Sequence, residues 1–226
     1  REKWEGCFSR VEIDAPADVK TIFYTALYHA FLYPREMTEG GRHYSGIDDR
    51  VHEGVGYDCF SLWDTYRAEH PLLTLFAPEH VDGMMQSLVN DYRAGGWLPL
   101  WKNLGYTGQM IGGPAEVALA EAYVKGFRGF DAETAYAAVR KNATVPQVGD
   151  LDRRWTPLME NPPGPPETRG GLTRYMKSGY VSQDETDESV SRTLDYAYDD
   201  SAVAAFARAL GKTADAKAFA LRAKSY

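Results

Sequence analysis

The chain has 226 residues, 44% of them hydrophobic and 25% charged, which is enough for one good core and too apolar for a disordered segment. Its net charge of −7 comes from 32 acidic and 25 basic residues spread along the whole length, so no basic stripe exists to neutralise phosphates, and nucleic acid is excluded as an expected partner. No run reaches the roughly 20 apolar residues that cross a bilayer, so no membrane span is expected.

The chain opens on Arg1-Glu2-Lys3-Trp4, without an initiator Met or a secretion signal, and its last residues run in a helical pattern up to Tyr226. Both ends predict a piece of a longer protein. Cys7 to Ile13 is the one stretch with β-type alternation, and the two cysteines, Cys7 and Cys59, are expected as buried thiols rather than a disulfide framework. Val19, Ile22, Phe23, Ala26, Leu27, Ala30 and Phe31 recur at three- and four-residue intervals and predict a helix over 18–32, stopped by Pro34. Residues 35–58 carry Gly40, Gly41, Gly46, Gly54 and Gly56 among polar residues and read as a long loop of the kind that carries function.

Further helices are expected at about 60–75, 79–94, 114–127, 131–142, 187–210 and 213–226. The junctions at Gly95-Gly96, Gly126 to Gly129 and Gly211 are short, so neighbouring helices should run antiparallel. Between 146 and 171 the run of Pro157, Pro162, Pro163, Pro165 and Pro166 predicts an irregular surface excursion. The fold class is therefore all-α, a series of helical hairpins.

Several clusters could carry chemistry. In Phe60-Ser-Leu-Trp-Asp-Thr-Tyr-Arg-Ala-Glu-His-Pro71, helical spacing puts Asp64 and Arg67 on one face and Trp63 beside Arg67. An aromatic plate with a carboxylate and a guanidinium suits vicinal sugar hydroxyls; an ion pair of Asp64 with Arg67 over a core Trp63 fits the same spacing. Trp97 and Trp101, in a turn shaped by Gly and Pro, could form a sugar-stacking platform or plug the end of a bundle. The glycine-rich stretch from Gly105 to Pro114 offers free backbone N–H groups at a helix start, but in a spacing that matches no phosphate or dinucleotide fingerprint. Arg192, Asp195 and Asp199 share one helix face. Asp199 and Asp200 point about 100° apart and should not flank one bond. His29, His43, His52, His70 and His80 lack metal-ligand spacing.

Five strings together resemble glycoside hydrolase family 92: Phe23-Tyr-Thr-Ala-Leu-Tyr-His29, Phe60 to Leu72, Met110-Ile-Gly112, Ala122 to Asp131 and Ser189 to Asp200. The resemblance implies an exported, inverting, calcium-dependent exo-α-mannosidase with an N-terminal β-sandwich and an (α/α)6 catalytic toroid. On that basis residues 1–15 are expected to be a linker or strand remnant from the missing sandwich, and 16–226 the N-terminal part of the toroid. It also implies Trp63, Asp64 and Arg67 as binders of terminal mannose in an oligosaccharide or glycoprotein glycan, with Trp97, Trp101 and Tyr106 as further candidates. The general-acid Glu, the base Asp and most calcium (Ca2+) ligands are expected beyond Tyr226, so the chain alone should be inactive. Tyr106 stands where many members have Glu, and Gly113-Pro114 where a His or similar residue is common, which puts the leaving-group subsite in question. A different (α/α)6 glycosidase, or a non-catalytic carbohydrate-binding or scaffold protein, would also suit helical hairpins rich in aromatics, with 15 Tyr and 5 Trp.

Overall fold

A computed structural model describes residues 2–152 and 169–226. The proline-rich run from Pro157 to Pro166 lies outside the described residues.

The chain starts with α1 (Glu2–Phe8), where alternation had suggested a strand. Trp4 and Phe8 sit one helical turn apart and pack together against the next helix, α2 (Ala17–Ala30), with Trp4 4.7 Å from Tyr28 and Phe8 6.1 Å from Tyr24 between ring centroids. That packing overrides the period-two pattern. On α2 only Leu27 is buried, whereas Val19 is 44% and Ile22 69% exposed, so most of the predicted apolar face meets no core among the described residues.

Residues 35–58 are not a structureless loop. Strand β1 (Arg35–Glu36) pairs antiparallel with β4 (Tyr57–Asp58), and β2 (Arg42–Ser45) with β3 (Arg50–Glu53). The predicted helix over 60–75 breaks into α3 (Leu62–Thr65) and α4 (Glu69–Phe76). Pro71 is the reason: in a continuous helix its ring would clash with the carbonyl of Arg67, so the chain restarts with Pro71 in the new first turn.

Helix α5 (Pro78–Gly95) begins on Pro78 and ends at Gly96 in the left-handed conformation, where the Gly96 N–H donates to the Tyr92 carbonyl at 2.7 Å. A two-stranded turn follows, β5 (Lys102–Asn103) with β6 (Gly105–Tyr106). Helix α6 (Pro114–Val124) is buried on nearly every side, as its Ala, Val and Leu content requires. Helix α7 (Ala132–Thr144) is capped by Asp131, whose side chain accepts from the Thr134 N–H at 3.0 Å. After η1 (Asp150–Asp152) come α8 (Leu172–Ser178), which periodicity did not single out, then α9 (Ser189–Ala209) and α10 (Thr213–Arg222).

One core joins α4, α5, α6, α7, α9 and α10 through Leu73, Leu88, Val89, Leu119, Val139, Phe206 and Phe219. Leu172, Tyr175, Val181 and Tyr196 form a smaller cluster beneath α8. The chain is mostly helical, and α6 is its central member, in contact with α3, α4, α5, α7 and α9. Cys7 and Cys59 are half-buried rather than buried.

Candidate functional site

The Ser61-to-Ala68 segment turns Trp63, Tyr66 and Arg67 toward α9. The Arg67 guanidinium carbon lies 5.8 Å from the Trp63 ring centroid and 4.7 Å from that of Tyr66. Tyr66 in turn meets Tyr198 of α9 at 5.8 Å between ring centroids. The i, i+4 relation of Trp63 and Arg67 brings guanidinium over indole.

Across from them stands Asp195. Burial raises its pKa, while the Arg67 charge and the Trp63 indole oppose the rise. The indole is near enough to favour the carboxylate, although Trp63 Nε1 makes no hydrogen bond of normal geometry. Asp64 is exposed and forms no ion pair with Arg67 among the described residues, so the salt-bridge alternative finds no support. Its charge instead acts on Glu69, whose pKa rises to about 7, mainly through burial and secondarily through Asp64.

Gly112 closes the space beside Asp195. Its φ is +86°, and a Cβ there would stand 3.4 Å from Asp195 Oδ2 and 3.6 Å from Asp199 Oδ2, so both carboxylates border this turn. The Gly113 N–H donates to Asp199 Oδ2 at 2.6 Å. The helix entrance that seemed open to an anion is therefore already occupied by a carboxyl group from within the chain.

Below the turn lies a largely buried charged network. Arg169 donates to Glu116 and, at 2.7 Å, to Asp200 Oδ1. Arg222 donates to Asp200 Oδ2 at 2.5 Å and to Oδ1 at 2.7 Å, and the Tyr175 hydroxyl to Oδ2 at 3.1 Å. Burial raises the pKa of Asp199 and of Glu116, with Arg169 opposing in both cases. Burial works against the Arg169 charge, but Glu116, Asp200 and Asp199 outweigh it and raise its pKa. Asp199 and Asp200 diverge as helix geometry requires, one toward the Gly113 turn and the other into this network. Arg192, which spacing left on a polar face, is 2% exposed and donates to the Asp187 carbonyl at 3.0 Å.

The other sequence candidates sit elsewhere. Trp97 packs under Lys141, whose Nζ is 4.1 Å from the ring centroid. The Tyr106 hydroxyl donates to the Trp97 carbonyl at 2.5 Å and lies 3.2 Å from the Asp91 carbonyl, and burial drives its pKa far up. That side chain ties the end of α5 to β6. Trp101 keeps a buried Nε1 with no partner among the described residues. Asp195 is the site residue that sequence spacing could not separate from an ordinary helix face; its i−3 relation to the lining Tyr198 was the available signal. Among the described residues, no three or more His, Cys, Asp or Glu are grouped to hold a metal ion.

The chain matches the glycosyl hydrolase family 92 catalytic domain over residues 1–226. It is 35% identical, with a TM-score of 0.86, to an inverting mannosidase of family GH92 from Bacteroides thetaiotaomicron, covering 100% of this chain and 30% of that one. A family GH92 α-mannosidase of the same organism, also solved with mannoimidazole, is 34% identical with a TM-score of 0.85, over 99% of this chain and 28% of its own. An uncharacterized secreted glycosidase of Arthroderma benhamiae is 33% identical over 161 residues, which are 65% of this chain and 18% of that protein. The chain thus spans under a third of the length of these relatives.

Proposed function

The chain belongs to glycosyl hydrolase family 92, and from that premise we propose that it is the N-terminal part of an (α/α)6 catalytic domain in an exported enzyme that removes terminal α-linked mannose with inversion. In this reading residues 1–15 lead in from an N-terminal sandwich, and the paired helices from 16 onward form part of the toroid. The observation that carries the reading is the convergence of Trp63, Arg67 and Asp195 beside the Gly112 turn.

These side chains supply what a pyranose needs. The Trp63 face takes the apolar C–H side of the ring, Arg67 donates to vicinal hydroxyls, and Asp64 and Asp195 accept from hydroxyls. Inversion takes a protonated and an ionised carboxyl roughly 6.5–9.5 Å apart, with water between base and anomeric carbon. We assign both to parts of the protein outside residues 1–226, so this chain binds and orients the sugar without completing the reaction. Calcium belongs to the complete enzyme in this reading, where it would polarise hydroxyls and orient water. Among the described residues no three His, Cys, Asp or Glu are grouped to hold a metal ion, and no step here runs through it.

The full-length enzyme should turn over an aryl α-mannoside, and this chain alone should not. Asp64→Asn in the full-length enzyme removes a charged acceptor worth about 1.5–3 kcal/mol, so kcat/KM should fall by roughly ten- to hundredfold while the melting temperature stays near wild type. Unchanged kinetics would return Asp64 to an ordinary surface acid. Preference for an aryl α-glucoside would favour a different helical-barrel glycosidase.

A further inference from the structure

The chain just before Trp63 cannot hold its own shape. Cys59 takes φ +59°, a left-handed conformation that a residue other than glycine keeps only when its surroundings impose it. Helix α3 is a single turn, too short to be stable by itself, and Ser61 gives it no side-chain cap among the described residues. The direction in which Trp63, Asp64 and Arg67 leave the backbone is therefore set by whatever grips residues 57–60.

That grip converges on Lys102. Its backbone N–H donates to the Phe60 carbonyl at 2.9 Å, an antiparallel bridge that ties Phe60 to β5. Its Nζ donates to the Tyr57 carbonyl at 3.1 Å and lies 5.8 Å from the Phe60 ring centroid, so one residue holds both ends of the stretch. Helix α5 fixes Lys102 in turn. Asp91 Oδ1 accepts from Nζ at 2.7 Å, and one turn earlier Ser87 Oγ accepts from the Tyr57 N–H at 2.9 Å. Asp58 completes the cluster, with Oδ1 3.9 Å from Nζ and Oδ2 accepting from the Leu104 N–H at 2.7 Å. Asp58, Asp91 and Lys102 are all buried. Asp58 Oδ1 and Asp91 Oδ2 accept no hydrogen bond among the described residues, so the ammonium supplies the opposite charge to both carboxylates.

We propose that Lys102 is a positioning residue for the sugar site: held by Asp91, its ammonium fixes residues 57–60 and, through them, the orientation of Trp63, Asp64 and Arg67. Being buried, it does not touch the sugar and acts through that segment. The consequence for sugar binding rests on the proposed function, whereas the mechanical link between Lys102 and the segment does not.

The full-length protein is compared with its Lys102→Met and Asp91→Asn variants. Methionine keeps the apolar stem and the backbone bridge but removes the ammonium; asparagine keeps the shape and an acceptor but removes the charge. The Asp64, Thr65 and Tyr66 amides donate to the Ser61 and Leu62 carbonyls. In Lys102→Met their hydrogen exchange should accelerate by about tenfold or more beyond any change in α7 and α10. At a temperature where both proteins are folded, kcat/KM on an aryl α-mannoside should fall by about tenfold or more, as expected when binding groups are misplaced. Added to Arg67→Lys, which already loses the planar two-pronged grip on the sugar, Lys102→Met should cost less than about threefold, because both changes act on one segment. Asp91→Asn should move each reading the same way by a smaller amount, and it carries the measurement if Lys102→Met does not fold. Exchange that is unchanged, exchange that accelerates equally in every helix, or kinetic losses that multiply in full with Arg67→Lys would mean an ion cluster that only stabilises the fold and would overturn the proposal. A wild-type enzyme that leaves the aryl α-mannoside intact would count against the proposed function, and the exchange rates would then decide the role of Lys102.

Discussion

Glu69 illustrates how much a single carboxyl can depend on what surrounds it. It follows a solvent-facing turn by sequence, yet one of its oxygens, Oε1, is buried with no partner among the described residues, and its pKa is pushed up to about 7 by burial first and Asp64 second. The folded protein then keeps a proton on Glu69 up to about pH 7, whereas an unfolded Glu releases it near about 4.3. Between those values the native state binds more protons, so stability falls as pH rises through the window and stays lowered above it. Glu69→Gln removes the penalty. The variant of the full-length protein should melt higher than wild type at pH 8 and nearly equally at pH 4; an equal difference at both pH values would rule the account out. At this scale the sequence revealed residue types and helical neighbours, such as Trp63 beside Arg67, because i, i+4 spacing is local. It could not reveal that Asp64 lacks its expected ion pair or that Asp195 lies across from Arg67, because those facts depend on how α9 packs against the α3 turn.

Among the elements, α9 does most to hold the site in place, and it does so through Asp200. That carboxylate binds Arg169, the Tyr175 hydroxyl of α8 and Arg222 at the end of α10, joining three separate parts of the chain. With both Asp200 and Arg169 buried, Asp200→Asn leaves Arg169 with Glu116 as its remaining hydrogen-bonded carboxylate and should cost about 3–5 kcal/mol, read as a lower midpoint in urea unfolding with an unchanged slope. A loss below about 1 kcal/mol would show that the network behaves like a surface pair. Helix positions for α5, α6, α7, α9 and α10 were legible to within a few residues, since apolar period and Gly or Pro ends coincide there. The β2–β3 hairpin was not, because its strands carry charged and polar residues on both faces and gain their order from pairing, His43 opposite His52 and Tyr44 opposite Val51. The division of α3 from α4 was signalled by Pro71 and lost in a periodicity that ran across it.

Over the whole molecule, apolar side chains face outward where helices have no neighbour. Ile22 on α2 is 69% exposed, and Val190, Leu194 and Tyr198 form an exposed stripe along α9 at four-residue spacing. With relatives more than three times as long, the isolated chain should associate or aggregate, while the same residues inside the full-length protein should give a monodisperse species in light scattering. A monomeric isolated chain that melts cooperatively would contradict this. The net negative charge, the mostly helical character and the likeness to family 92 were determined by the sequence alone, because composition, period and long matching strings are properties of the chain itself. The meeting of Trp63, Arg67 and Asp195, the filling of the Gly113 entrance by Asp199, the assignment of Tyr106 to the backbone of α5 and the unfilled carboxylate oxygens over Lys102 were decided only by tertiary structure. Each joins residues tens of positions apart or turns on burial, and neither long-range distance nor local dielectric is encoded in any short stretch of sequence.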